Sequence, residues 1–133
     1  MTLEPARKRA EWDAAHGRTT VVLPWPPAVN NLFATFNNRR IPSRRYKLWQ
    51  DGALTAVREQ RPRPITGSFR ATISCSPPDR RRRDLDGLAK APLDLLVKAG
   101  VIEDDHKARG IILEWDDANP AKPGSVTVTL ERA

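Results

Sequence analysis

Two stretches of the chain alternate apolar and polar residues with the period of a strand, and two others repeat apolar residues at helical spacing. In SFRATISC the side chains of Phe69, Ala71, Ile73 and Cys75 share one face, which predicts a strand from about Ser68 to Cys75. SVTVTLE does the same with Val126, Val128 and Leu130 and predicts the last strand. RTTVVLPW is β-branched and apolar, so a first strand is expected from about Thr19 to Leu23, stopped by the prolines of PWPP. A further strand is expected around Gly110 to Trp115.

The helical period appears first after Ser43, whose hydroxyl suits an N-cap. Tyr46, Trp49 (or Leu48), Ala53, Ala56 and Val57 then recur on one side as far as Gln60, where RPRP ends the run. A second helix is expected from about Asp86 to Ala99, closed by Gly100. Leu85, Leu88, Pro92, Leu95 and Ala99 form its apolar stripe, with Asp86, Lys90, Asp94 and Lys98 opposite. Pro92 is awkward inside a helix, so either the regular helix begins near Ala91, with Pro92 in its first turn, or it is kinked there.

NNRR at residues 37–40 and DDANPAKPG read as turns, and SPPDRRRR as a loop. The resulting order, β-α-β-α-β-β, predicts a single α+β domain over residues 19–133, with one mixed four-stranded sheet and two main helices. Residues 1–18 are expected to be an extension outside the core, helical or disordered.

Composition narrows the classes. A length of 133 residues suits one domain, and no apolar run approaches the roughly 18 residues of a membrane span. The N-terminus lacks the apolar core of a secretory signal, so a cytoplasmic or nucleoid location is expected. With one cysteine and two histidines there is no intrachain disulfide and no Cys/His zinc cluster of the usual spacing. Cys75, between serines in a strand, reads as structure rather than as a thiol nucleophile served by His106.

Charge is unevenly placed. Residues 1–83 hold 17 Lys/Arg against 6 Asp/Glu, a net of +11, whereas residues 84–133 hold 6 against 10, a net of −4. A basic half joined to an acidic one suits a polyanion docked beside metal-binding carboxylates, although solubility also accounts for a net charge of this size. The two halves meet in RRRRDLDGLAK, residues 80–90. Asp84 and Asp86 lie at or before the start of the second helix, where the helix dipole favours carboxylates.

A second acidic group, Glu103 to Asp105, follows that helix. The helix carries the chain roughly 18–20 Å away, and the extended segment after it returns at most about 20 Å. A sharp reversal at Gly100 therefore brings Asp105 back toward the first pair. Three carboxylates without histidine or cysteine select a hard cation, Mg²⁺ with Mn²⁺ as the alternative. Beside a phosphate-binding surface such an ion supports phosphodiester hydrolysis.

Blander readings stand beside this one. A lone DxD also occurs in nucleotide-sugar transferases and calcium loops; the chain is short for the first, and Leu88 and Lys90 occupy positions where an EF-hand loop needs oxygen ligands. Asp86 and Lys90 are spaced as a helix-surface ion pair, and four arginines also suit a solvated loop.

LPWPPAVNN, PDRRRRDLDGLAKAPLDLLVKAG and VIEDD, in that order, resemble the RusA family of Holliday junction resolvases, and the likeness spans about residues 20–131. That resemblance implies a small Mg²⁺-dependent endonuclease that resolves four-way DNA junctions by paired symmetric nicks, in recombination and repair, as a homodimer. By position it implies metal-binding carboxylates at Asp84, Asp86 and Asp105, a catalytic lysine at Lys90, and a DNA-binding arginine at Arg83. Gly87 stands where the family often has Asn, which removes a hydrogen bond beside the site.

Phosphate contacts are expected from Arg80, Arg81 and Arg82 and, in the basic half, from Arg39, Arg40, Arg44, Arg45 and Lys47. Phe33, Phe36 and Trp49 either stack on unpaired bases or pack in the core. His106 reads as an exposed bystander. The competing class is a non-catalytic or catalytically degenerate protein that binds branched DNA.

Overall fold

The computed structural model describes Lys8, residues 11–13, residues 15–116 and residues 123–133. Lys8, Glu11 to Asp13 and Ala15 are helical. Residues 1–7, 9, 10 and 14 of the N-terminal extension, and residues 117–122 of the DDANPAKPG turn, lie outside the described residues.

The β-branched run after Gly17 forms β1 (Arg18–Pro24), and its last residue is the first proline of PWPP. Asn37 and Asn38 then take the left-handed conformation, with φ of 50° and 59°. Two such residues close a tight hairpin whose twist suits its strands, and asparagine adopts them at low cost. The hairpin joins β2 (Phe33–Phe36) to β3 (Arg39–Pro42). It is absent from the expected element order, where residues 37–40 were only a turn.

Ser43 caps α1 (Arg44–Gln60) by accepting the Tyr46 N–H. Tyr46, Trp49, Ala53 and Val57 are the buried stripe, so Trp49 rather than the 62% exposed Leu48 faces inward, and Ala56 lies only half-buried. Arg61 ends the helix in the left-handed region before the following prolines.

β4 (Phe69–Ser76) buries every second residue as its alternation predicts, and β6 (Ser125–Arg132) does likewise. Between β4 and β5 (Ala108–Trp115) runs one long crossover, which the parallel pairing of these strands requires. The mixed sheet has the order β1-β6-β4-β5, with the other pairs antiparallel. Its apolar face, the stripe of α1 and Leu95 and Leu96 of α2 (Lys90–Lys98) form one buried cluster.

The second helix is shorter than the expected span of Asp86 to Ala99. Leu85–Leu88 is a separate 3-10 turn, and the regular helix begins at Lys90, which puts Pro92 in its first turn. A proline is tolerated there because the amide it lacks has no intrahelical partner. At the other end Gly100, with φ of +77°, lets Val101 N–H bond to Leu96 O (2.9 Å) and Gly100 N–H to Val97 O (3.0 Å). This paired closure turns the chain back sharply. Ile102 then bridges to Ile65 in parallel, fixing the path of the return.

β1 lies at one edge of the sheet, yet its outward backbone is engaged. The Gln60 side chain accepts from Val22 N (2.8 Å) and donates to Val22 O (2.7 Å).

Candidate active site and nucleic-acid interface

Every residue of RRRRDLDGLAK belongs to the crossover between β4 and β5. Its first part, from Pro77 onward, is a loop organised by Asp79. That carboxylate pairs with Arg83 (2.8 Å), which also lies over the Trp25 ring at 5.5 Å, and with Arg81 (3.2 Å), whose N–H it accepts at 2.9 Å. These contacts, Arg83 first, hold the Asp79 carboxyl well below the usual carboxylate range. Trp25 is in turn stacked on Trp115 at 6.3 Å between centroids. Arg83 is therefore a half-buried member of the wall, whereas Arg80, Arg81 and Arg82 are exposed.

The loop borders a cleft of about 840 Å³. Trp25 to Pro27, the 3-10 turn Val29–Asn31, Arg45 of α1 and, from the crossover, Arg81, Arg83, Asp84 and Asp86 line it. Asp84 and Asp86 are both exposed, while Gly87 and Leu88 between them and α2 are buried, which pins the turn that carries the aspartates. A Cβ at Gly87 would meet Val29 Cγ1 at 3.6 Å, an ordinary contact, so glycine here is not demanded by space.

The second acidic group divides its labour. Glu103 accepts the Gly67 N–H and pairs with Lys107 (3.0 Å). Asp104 caps the 3-10 turn Asp105–Lys107 by accepting the His106 N–H (3.1 Å), and it meets His106 Nδ1 at 2.9 Å. These bonds, the backbone one first, bring Asp104 down to about 2. His106 is thus an exposed partner of Asp104, with 71% of its side chain accessible.

Asp105 is left to face α2, against which its turn packs. Its carboxyl is pushed up, first by the hydrogen bond shared with Asp104, then by desolvation and by the charges of Asp104 and Asp94; Lys90 opposes. The reversal at Gly100 thus delivers Asp105 to the neighbourhood of Lys90. Lys90 itself pairs with Asp94 at 3.1 Å, one turn on, instead of with Asp86, which lies outside the regular helix.

The expected residues accordingly occupy two adjoining places. Asp84 and Asp86 line the arginine-rich cleft, and Asp105 stands with Lys90 and Asp94. Among the described residues no three His, Cys, Asp or Glu side chains meet as a group able to hold a metal ion. The donor chemistry, carboxylate oxygen without sulfur or imidazole in the set, suits a hard divalent cation.

Of the other expected DNA contacts, Arg39, Arg40, Arg44 and Lys47 are exposed on the hairpin and on α1, with Arg40 lying over the Phe33 ring at 4.2 Å. Of the three aromatics, Trp49 takes the core alternative: it is buried, and its indole N–H bonds to Pro24 O at 3.0 Å, as a core tryptophan must satisfy its donor. Phe33 is half-buried and Phe36 is 64% exposed. Sequence reasoning missed Trp25, Asp79 and Asp94. The PWPP run was the available signal for Trp25, because prolines on both sides fix the chain that presents it.

Residues 24–131 match the profile of the family described as Endodeoxyribonuclease RusA. The chain is 34% identical over 87 residues to the crossover junction endodeoxyribonuclease RusA of Escherichia coli strain K12, covering 65% of this chain and 72% of the relative. The protein of the same name from Enterobacteria phage 82 is 38% identical over 86 residues, covering 64% and 72%. That of Shigella sonnei is 34% identical over 87 residues, covering 65% and 72%.

Proposed function

The chain belongs to the endodeoxyribonuclease RusA family, and on that premise we propose that it is a DNA endonuclease that resolves Holliday junctions by paired symmetric nicks, as a step of recombination and repair. The observation that carries this reading is the cleft in which two exposed aspartates stand among Arg45, Arg81 and Arg83. Guanidinium groups attract and orient a phosphodiester, and carboxylates next to it suit the cation that such hydrolysis uses.

In this reading Asp84, Asp86 and Asp105 hold Mg²⁺, or Mn²⁺ in its place. When bound, the ion activates a water and offsets charge on the phosphate oxygens. Lys90 brings a cation toward the phosphate and stabilises the negative charge that grows there. Arg39, Arg40, Arg44, Arg45 and Lys47, with Arg80 to Arg83, hold the duplex arms, and the exposed Phe36 stacks at the crossover.

Two cuts on strands of like polarity need two such sites. One chain offers one set of carboxylates, so a two-fold homodimer supplies the pair. No helix among the described residues is long and apolar enough to cross a membrane.

The test is incubation with a labelled four-way junction, a flap and a linear duplex, with Mg²⁺ or with EDTA. Paired nicks on the junction that vanish in EDTA and in Asp84→Asn are expected. Tight junction binding without cleavage under any divalent metal would instead establish a non-catalytic branched-DNA-binding protein.

A further inference from the structure

We propose that Asp94 is a positioning residue that sets the Lys90 ammonium for catalysis. The role rests on the nuclease reading above and adds a residue to it.

Lys90 Nζ lies 3.1 Å from Asp94 Oδ2, one helical turn along α2. Their side chains are 43% and 30% exposed, so the pair does little for stability, and its effect is to restrict where a long flexible side chain can point. Two packed neighbours distinguish it from a solvated surface pair. The turn that carries Asp105 packs against α2, and Asp105 feels the charges of both members. α1 also packs against α2; the Tyr46 hydroxyl is pushed up first by burial and then by the charge of Asp94.

Tyr46 is itself fixed. It is 3% exposed, with Phe33 edge-on at 5.8 Å and Trp49 stacked at 6.3 Å. A fixed face of α1 thus borders the helix that carries Lys90 and Asp94. Removing Asp94 leaves the lysine present but unaimed, and a misaimed group costs rate rather than affinity.

The experiment is single-turnover nicking of a four-way junction at saturating Mg²⁺, with junction Kd measured in parallel. Asp94→Asn is expected to slow nicking about ten- to hundredfold, the loss usual for an orienting partner, with Kd changed less than about threefold. Asp94→Glu should recover part of the rate. Because Asp94 acts through Lys90, the double variant Lys90→Ala/Asp94→Ala should be no slower than Lys90→Ala alone. Losses that multiply in the double variant would overturn the inference, as would full-rate nicking by Asp94→Asn beside an active wild type; in both cases the nuclease reading stands. A wild type that nicks no junction sinks the nuclease reading and this role with it.

Discussion

Arg83 reaches back four residues to Asp79, 2.8 Å away, so the arginine beside the first site aspartate is held from within its own loop. The carboxyl of Asp79 is depressed below its ordinary value of 3.8, by Arg83 first and then by the Arg81 N–H. A group whose folded pKa is lowered contributes stability that is fully present above the unfolded value and is lost as pH falls through the folded one. The small stability difference between wild type and Asp79→Asn should therefore be constant above about pH 4–5 and shrink in more acid solution. Thermal midpoints from pH 6 to pH 2 at fixed ionic strength measure it. A difference independent of pH would mean that the ion pair is not what Asp79 contributes.

Arg45 and Arg81 face the same cleft from α1 and from the arginine loop. If each neutralises one phosphate, Arg45→Ala and Arg81→Ala should each weaken junction binding and reduce the slope of log affinity against log salt by about 1. An unchanged slope would place the DNA elsewhere.

Asp84 and Asp86 should separate binding from cutting. Exchanging either carboxylate for an amide keeps shape and removes the charge that a cation needs. Asp84→Asn and Asp86→Asn are each expected to lose at least about a hundredfold in nicking rate, the scale for loss of one main electrostatic stabiliser. Junction affinity without metal should hold or rise, because a negative charge has left a phosphate-binding cleft.

Two glycines make opposite predictions. Gly124 has φ of +82°, and a Cβ there would lie 2.9 Å from the backbone nitrogen of Pro78. Gly124→Ala should cost about 1–3 kcal/mol, loosening the start of the arginine loop. Gly87→Ala, with ordinary contacts and no positive φ, should hold stability or raise it by about 0.5 kcal/mol. Denaturant midpoints decide between them.

Cys75 lies wholly inside the sheet's apolar cluster, and burial pushes its thiol up to about 11. It should resist alkylation at pH 8 in the native protein and react once the chain is unfolded. Fast native alkylation would show that β4 opens.

The elements that bury one face were legible because burial writes a period into the residues. Phe69, Ala71, Ile73 and Cys75 declare β4 this way, and Ser43 with Tyr46, Trp49, Ala53 and Val57 declares α1. The β2–β3 hairpin left no such mark. Its strands have four residues each and bury none of them fully, so FATF and RRIP carry no alternation, and the Asn37-Asn38 pair was the whole signal.

The partner of Lys90 turned on a different point. Asp86 and Asp94 are both four residues from it, and the choice depends on where regular helix starts. Pro92 contained that information, since a proline in the first turn leaves Asp86 outside α2 and Asp94 within it. Trp25 and Asp79 act on the cleft from segments distant in sequence or in irregular loop, where periodicity has nothing to report.

The Gln60 amide on β1 has a consequence for life in a crowded solution. A strand from another molecule that approached this border would find the donor and acceptor of Val22 already engaged, on an edge whose Val22 side chain is 44% exposed and otherwise inviting. The last residue of a helix thus closes this stretch of the border to pairing with a neighbouring sheet.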